Sequence, residues 1–261
     1  MINKICHFSD LQIRMFKDHE QYRNILVDML NKFKEINPDR IVFTGDMVQS
    51  KNQMTPELVH FVSWLLTECS NIAKTVIIPG NHDALMNNLT RLDALSPIVD
   101  ALNNPNILYY KNMGIYEDEN VSWCVYSQFQ GNIPPEIYEA EGEYKIGLFH
   151  GLIKGLKTDL NFKVTNDGYD VENFEGLDFV LCGDIHKRTT FDIPNGKIGV
   201  MIGSCIQQNY GESVKDHGFG VLTLDDMNYE FVELENDRPY LSFKLTSYDD
   251  ILNGEEKLIN G

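Results

Sequence analysis

The stretch Thr75-Val76-Ile77-Ile78-Pro79-Gly80-Asn81-His82-Asp83 is a short apolar run that ends in Pro-Gly and then in polar residues. A short β-branched run that is bounded by Pro-Gly is typical of a buried strand. Ligands of open α/β sheets bind at the carboxyl ends of the strands, which is where Asn81 and His82 would lie. The stretch therefore predicts both a central strand and a candidate site.

Four other apolar runs also end in polar residues. Lys4–Phe8 is followed by Asp10 and Gln12, Ile41–Thr44 by Asp46, Lys145–Phe149 by His150, and Phe179–Cys182 by Asp184 and His186. In two of them, Gly45 and Gly183 stand directly before the carboxylate, and glycine lets the backbone approach a ligand closely. We therefore expect all five strand ends to contribute to one cluster.

Helical patterns are concentrated in the first half of the chain. Apolar residues at three- and four-residue spacing predict a helix over His19–Ile36, and Thr55-Pro56-Glu57 has the residues of a helix start. A further helix is predicted over Leu85–Leu102, with an interruption at Ser96-Pro97. The second helix is apolar around most of its circumference, so it is either covered within its own chain or part of a subunit contact. Strand-like runs continue to residue 234, and the class is α/β.

Composition limits the kind of protein. With 261 residues, 43% of them hydrophobic, the chain can bury one large core. The five cysteines form no Cys-x-x-Cys pair, the first residues do not resemble a signal peptide, and no apolar run is long enough to cross a bilayer. These features predict a cytoplasmic protein without a membrane partner.

The formal net charge of −17 argues against general adhesion to nucleic acid, which usually requires a basic surface. It does not exclude an enzyme that acts on nucleic acid, because carboxylates that bind divalent cations become locally positive. The candidate donors are carboxylates, amides and imidazoles, which suit Mn²⁺, Mg²⁺ or Fe²⁺ better than soft metals. Their number suggests two ions.

The order of these motifs along the chain resembles the calcineurin-like metallophosphoesterase superfamily. The motifs are Asp-x-(His), Gly-Asp, Gly-Asn-His-Asp, a lone His and Gly-(His)-x-His, and they extend over roughly the first 225 residues. The resemblance implies a β-sandwich flanked by helices, in four α/β/β/α layers, over residues 1–234. Residues 235–261 would then begin a small C-terminal capping segment.

Within the superfamily the chain is most similar to SbcD-type nucleases of DNA double-strand-break repair, including their phage recombination counterparts. The supporting stretches are His7-Phe8-Ser9-Asp10, Lys51-Asn52-Gln53, and Ile202–Gln208 with Gly211-Glu212. This resemblance implies exonuclease and endonuclease activity on DNA. It also implies a homodimer through helices at Pro56–Cys69 and Arg91–Ala101, and an SbcC-type ATPase partner. The segments that bind this ATPase in the family are not found in residues 235–261, so we expect a truncated or minimal form.

The resemblance also implies roles for the clustered residues. Asp46 would bridge two divalent cations, and His82 would act as the acid in a two-metal mechanism with a bridging hydroxide. The remaining ligands would be Asp10, His186 and Gln12 at one ion, and Asn81, His150 and Asp184 at the other. The basic residues nearest these motifs are candidates for contacts with the DNA backbone: Arg14, Lys17, Lys187 and Arg188.

Two residues depart from the family pattern, because Gln12 and Asp184 both stand where histidine is usual. A neutral amide is a weaker donor than imidazole, so we expect one ion to bind loosely. The extra carboxylate favours Mn²⁺ or Mg²⁺ over Zn²⁺. Two alternatives stay open: another hydrolase of the superfamily, such as a small phosphodiesterase or a protein phosphatase, and a weakly catalytic scaffold that binds DNA ends.

Overall fold

The computed structural model describes residues 1–85, 88, 91–126, 136–158, 162–165 and 168–243. The three α-helices in this part of the chain are α1 (His19–Ile36), α2 (Pro56–Ile72) and α3 (Ser96–Leu102). The strands are β1 (Lys4–Phe8), β2 (Arg40–Phe43), β3 (Lys74–Ile77), β4 (Ile107–Tyr109), β5 (Gly114–Asp118), β6 (Val121–Tyr126), β7 (Tyr144–His150), β8 (Phe179–Gly183), β9 (Thr189–Ile193), β10 (Lys197–Met201), β11 (Gly218–Thr223) and β12 (Asn228–Glu233).

The strands form two six-stranded mixed sheets, in the orders β12-β11-β1-β2-β3-β4 and β5-β6-β7-β8-β10-β9. Strands β1 to β4 are parallel in the first sheet, and β6, β7, β8 and β10 are parallel in the second. The carboxyl ends of parallel neighbours lie at one edge of their sheet. The polar residues that follow β1, β2 and β3 are therefore brought together, as are those that follow β7 and β8.

A hydrophobic core between the two sheets holds them face to face. Trp123 and Phe179 from the second sheet pack there with Ile5, Val42 and other aliphatic residues of the first sheet. These side chains are almost fully buried, and each contributes roughly 1.5–3 kcal/mol relative to an exposed side chain. This core aligns the polar ends of the two sheets with each other.

The three helices cover the outer face of the first sheet. Helix α1 spans the predicted range and buries the predicted apolar positions, which are Tyr22, Ile25, Leu26, Met29, Leu30 and Phe33. Helix α2 begins after the predicted cap, where the Thr55 hydroxyl accepts a hydrogen bond from the Leu58 amide. Helix α2 packs on α1, α3 and β3, so its own chain covers much of its apolar surface. Val59 on α2 remains 37% exposed.

The predicted helix from Leu85 is absent from the described residues before Ser96, which are 85, 88 and 91–95, because α3 begins at Ser96. Residues 86, 87, 89 and 90 lie outside the described part of the chain. Asp93 explains this start: its carboxylate accepts hydrogen bonds from the Leu95 and Ser96 amides and from the Ser96 hydroxyl. Pro97 then occupies a position in the first turn that needs no amide hydrogen. Leu92, one of the apolar residues whose spacing predicted the longer helix, precedes α3 and is 72% exposed, so it does not lie on a buried helix face.

The outer face of the second sheet is covered by short 3₁₀ helices, Ile137–Glu139 and Val171–Phe174, and by the long connection between β7 and β8. Two sheets with helices on the outside confirm the predicted α/β sandwich. Residues 244–261 lie outside the described part of the chain, and the division at residue 234 stays a prediction. Within the described residues, no helix is both long and apolar enough to cross a bilayer.

Candidate functional site

The five strand ends meet in one place between the two sheets. Asp10, Asp46 and His150 each offer one side-chain atom that could bind a metal ion, and these three atoms lie within 4.8 Å of one another. All three residues are buried. Asp184 Oδ1 is 3.7 Å from His150 Nε2, and His186 Nε2 is 3.9 Å from Asp10 Oδ1. The structure thus brings together acidic and imidazole groups that are up to 176 positions apart in the sequence.

The loops at this site have unusual backbone conformations. Asp10, Gln12 and Asp46 all have positive φ angles, of 53°, 44° and 61°, which non-glycine residues seldom adopt. Hydrogen bonds between the loops support them, since the Asp10 amide donates to the Gly45 carbonyl and the Gln12 amide to the Asp46 carbonyl. Strained residues that are held in this way are frequent at functional sites.

Glycine is required where the loops approach each other most closely. Gly45 has a φ of +99°, and a Cβ atom there would lie 2.4 Å from His150 Nδ1. A Cβ atom on Gly80 would overlap the Asp46 carboxylate. These two glycines, which the sequence pattern singled out, therefore leave the space that Asp46 and His150 occupy.

His150 is oriented so that one ring nitrogen faces the carboxylates. Its Nδ1 donates to the Thr44 carbonyl at 2.6 Å, which leaves Nε2 facing Asp46 Oδ1 at 3.3 Å. Nε2 is buried and has no hydrogen-bond partner, and the same holds for Asn81 Oδ1. Buried polar atoms without partners are costly unless another group binds them. A divalent cation fits this set of donors, because oxygen and imidazole nitrogen atoms surround the same space.

A second histidine is oriented by Glu212, a carboxylate to which the motifs assign no role. His186 Nδ1 donates to Glu212 Oε1 at 2.9 Å, which turns its Nε2 toward Asp10 Oδ1. Glu212 is buried and also accepts hydrogen bonds from the Gln208 amide and the Asn209 side chain. Carboxylates in this position orient metal-binding histidines and make them more basic.

Gln12 lies between two of the candidate ligands. Its Nε2 donates to Asp46 Oδ2 at 3.2 Å and to His186 Nε2 at 3.1 Å. The amide therefore uses lone pairs that a cation at this position would need. Its geometry agrees with the expectation that one of the two ions binds more weakly, but the role of Gln12 stays a prediction.

Asp83 supports the backbone of the site. Its carboxylate accepts hydrogen bonds from four amides, those of Asp46, Met47, Val48 and Gly80, at 2.9–3.3 Å. Burial and the nearby Asp46 charge raise the pKa of Asp83 to about 7. The Asp83 carboxylate therefore holds together the loops that follow β2 and β3.

His82 lies at the open side of the site. Its Nδ1 donates to the Gln49 carbonyl at 2.7 Å, and its Nε2 lies 4.0 Å from Asp46 Oδ2. The side chain is about one third exposed. A ring that is fixed at Nδ1 and open at Nε2 can exchange a proton with a molecule that enters from solvent.

The pKa values show how strongly the charges interact. Burial raises the pKa of Asp10 to about 6, although His150 and His186 oppose the shift. Burial would also raise the pKa of Asp46, but His150 and His82 outweigh it and lower this pKa to about 2. Burial lowers the pKa of His150, yet the surrounding carboxylates raise it well above its usual value. The site thus concentrates negative charge that a cation would neutralise.

The four predicted DNA-contacting residues lie near the site, but only some of their charged groups are exposed and able to contact a phosphate. The guanidinium of Arg14 is bonded to Asp18, Tyr240 and the Gln208 carbonyl. Arg188 pairs with Asp216 and lies 3.7 Å from the centre of the Phe231 ring. Lys17 and Lys187 are exposed. Their contacts with DNA stay predictions.

Comparison with known proteins places the chain in a wider context. The family of calcineurin-like phosphoesterases matches residues 3–188. An uncharacterized protein, R555 of Acanthamoeba polyphaga mimivirus, is 34% identical over 258 residues, which are 94% of this chain and 19% of that protein. The chain thus spans about a fifth of the length of this relative.

The solved structure of a dimetal phosphatase from Danio rerio is similar in fold. Its TM-score is 0.54 at 11% sequence identity, and the match covers 90% of this chain and 96% of that one. At this low identity, the likeness concerns the fold alone.

Proposed function

Because the chain belongs to the calcineurin-like phosphoesterase family, we propose that it is a metal-dependent nuclease that hydrolyses phosphodiester bonds in DNA during double-strand-break repair or recombination. One observation supports the proposed metal dependence. Buried donor atoms converge on one space, where Asn81 Oδ1 and His150 Nε2 have no hydrogen-bond partner. The motifs shared with SbcD-type nucleases support the choice of DNA as substrate.

In this proposal the candidate ligands divide between two positions. Asp46 faces both, since its Oδ1 lies toward His150 and its Oδ2 toward Gln12. Asn81, His150 and Asp184 would complete one position, and Asp10, His186 and Gln12 the other. The hard oxygen donors favour Mn²⁺ or Mg²⁺. Such ions, when bound, would attract the phosphate and lower the pKa of the attacking water.

The residues of the chain would perform the remaining tasks. Glu212 would hold His186 through Nδ1, and the Thr44 carbonyl would hold His150 through Nδ1, so that both Nε2 atoms face the candidate ion positions. His82 Nε2 would donate a proton to the sugar oxygen that leaves. Lys17 and Lys187 would contact backbone phosphates on either side of the site.

The proposed assembly is a homodimer that contacts an SbcC-type ATPase, which would supply DNA affinity that this acidic chain lacks. A groove of about 320 Å³ lies between α2 and α3, lined by residues that include Met54, Val59, Pro97 and Ala101. An apolar groove on the two predicted helices supports a dimer contact there. Val59→Asp is expected to convert a dimer to a monomer in sedimentation velocity, whereas Glu143→Lys should not.

The function is tested by comparing substrates under one set of conditions. The purified chain, freed of metal and reloaded with Mn²⁺, is incubated with linear duplex DNA, a mononucleotide diester and a phosphopeptide. We expect DNA to be cut and Asp46→Asn to abolish cutting, with Asp226→Asn, a surface carboxylate, as the matched control. Binding of the same DNA is measured in parallel.

Each alternative has its own outcome. With inert DNA, turnover of the phosphopeptide would identify a phosphatase and turnover of the mononucleotide diester a small phosphodiesterase, and either result would contradict the nuclease. DNA binding without any metal-dependent cutting would identify a scaffold. Highest activity with Zn²⁺ would contradict the proposed ligand set.

A further inference from the structure

A cavity of about 300 Å³ lies next to the candidate site, and no group in the reaction proposed above fills it. It is lined by residues from two loops, including Ile13, Phe16 and Lys17 from the first and Gln49, Ser50 and Gln53 from the second. Ile13 directly follows Gln12, and the Gln49 carbonyl accepts the hydrogen bond from His82 Nδ1. The lining of the cavity is therefore in direct contact with His82, the proposed acid, and adjoins Gln12, a candidate ligand, in the sequence.

The walls of this cavity are fixed by backbone contacts. The Ile13 amide donates to the Met47 carbonyl, and the Gln49 amide donates to the Ile13 carbonyl. The Thr55 hydroxyl, which caps α2, donates to the Met15 carbonyl at 2.7 Å. The loop that carries Phe16 is thus attached both to the site and to a long helix, so the cavity is already formed without a ligand.

The chemistry of the lining suits a flat aromatic ligand next to a phosphate. The Phe16 side chain lines the cavity and is 68% exposed, so its aromatic ring is accessible to a flat ligand. Lys17 has 65% of its side chain exposed, and its Nζ lies 3.9 Å from Asp18 Oδ2. The side chains of Gln49, Ser50 and Gln53 offer both donors and acceptors for the edge of a base.

We propose that this cavity binds one unpaired nucleobase of the DNA substrate, which stacks on Phe16 while Lys17 contacts the adjoining phosphate. This inference rests on the proposed nuclease function and specifies its substrate. The volume is at the small end of ligand pockets, so it accepts one base and excludes a base pair. A base can enter only where it is unpaired, at a frayed or single-stranded end. The enzyme is therefore selective for ends that have a single-stranded nucleotide beside the cleaved bond.

The test uses single-stranded oligonucleotides that differ only at the nucleotide beside the cleaved bond, which carries either a base or an abasic site. Affinity is measured by fluorescence anisotropy with Ca²⁺ in place of Mn²⁺, and 2-aminopurine at the same position reports stacking. For the wild type we expect the base to strengthen binding about tenfold or more and its fluorescence to be quenched. Phe16→Ala should abolish both effects, and Phe16→Trp should retain them. Tyr138→Ala is the control, because Tyr138 is 78% exposed and outside the cavity lining.

Several outcomes would overturn the inference. If Phe16→Ala weakens binding equally for the base and the abasic site, or not at all, the ring does not stack on a base. If Phe16→Ala instead changes the oligomeric state in sedimentation velocity, Phe16 contacts a second copy of the chain. In both cases wild-type cleavage of DNA would persist, and the proposed function would stand. A wild type that neither binds nor cuts DNA would overturn both proposals.

Discussion

Replacing Gln12 by histidine is expected to strengthen binding of the second of two divalent cations. In the wild type, a cation that uses both Asp46 Oδ2 and His186 Nε2 must first displace the Gln12 amide from these two atoms. A hydrogen bond to a charged group contributes about 1.5–3 kcal/mol. Because 1.4 kcal/mol corresponds to a factor of ten, the second ion should bind about 10- to 150-fold more weakly than the first.

The measurement is a calorimetric titration of metal-free protein with Mn²⁺, which resolves two binding steps when their affinities differ by this amount. Gln12→Ala removes both the hydrogen bonds that the ion must displace and the amide oxygen proposed as a ligand, so it should recover at most a small part of the difference. Gln12→His removes the same bonds and adds an imidazole, so it should recover more. Gln21→His, which changes a glutamine on α1 that pairs with Asn236, should leave both steps unchanged.

Two results would refute this reasoning. Equal affinity for both ions in the wild type would mean that the Gln12 amide does not compete with the cation. An unchanged second step in Gln12→His would mean that residue 12 does not reach the second ion. In either case the departure of Gln12 from the family pattern would have another cause.

Three further predictions concern Glu212, Asp83 and His7, to which the sequence analysis assigned no ligand or catalytic role. Glu212→Gln should weaken Mn²⁺ binding about 10- to 100-fold in the same titration, because His186 loses its carboxylate partner, whereas Glu143→Gln should not. Asp83→Asn should lower the free energy of unfolding in urea by about 1–3 kcal/mol, because one buried amide, that of Val48, loses its acceptor; an unchanged midpoint would contradict this role. Burial lowers the pKa of His7 to about 3 in the folded protein. Its contribution to stability is therefore present above about pH 6.5 and is lost as the pH falls toward 3, because the unfolded chain binds the proton first. Between pH 6.5 and 5, the free energy of unfolding in urea should fall by about 1.6 kcal/mol more for the wild type than for His7→Gln, and equal losses would exclude His7 as the cause.

Much of the architecture follows from local patterns. The 3.6-residue spacing of Tyr22, Ile25 and Leu26 onward predicted both the range and the buried face of α1, because helix periodicity and burial are linked within one segment. The apolar runs with polar ends predicted which residues would meet, since parallel strands of one sheet align their carboxyl ends. The misplaced start of α3 shows the limit, because a single carboxylate at Asp93 outweighed several residues at helical spacing.

The positions of atoms within the site were determined by the packing of the two sheets. Glu212 is 26 residues from His186, and Asp83 binds amides that are 35–37 residues away, so no local pattern relates them. The cavity beside Phe16 likewise exists only because two loops from neighbouring strands are joined by hydrogen bonds. Residue types and their spacing in the sequence predict which side chains are buried and which polar side chains follow each strand. Contacts between distant segments depend on how the core between the sheets aligns them, and that alignment is a property of the folded molecule.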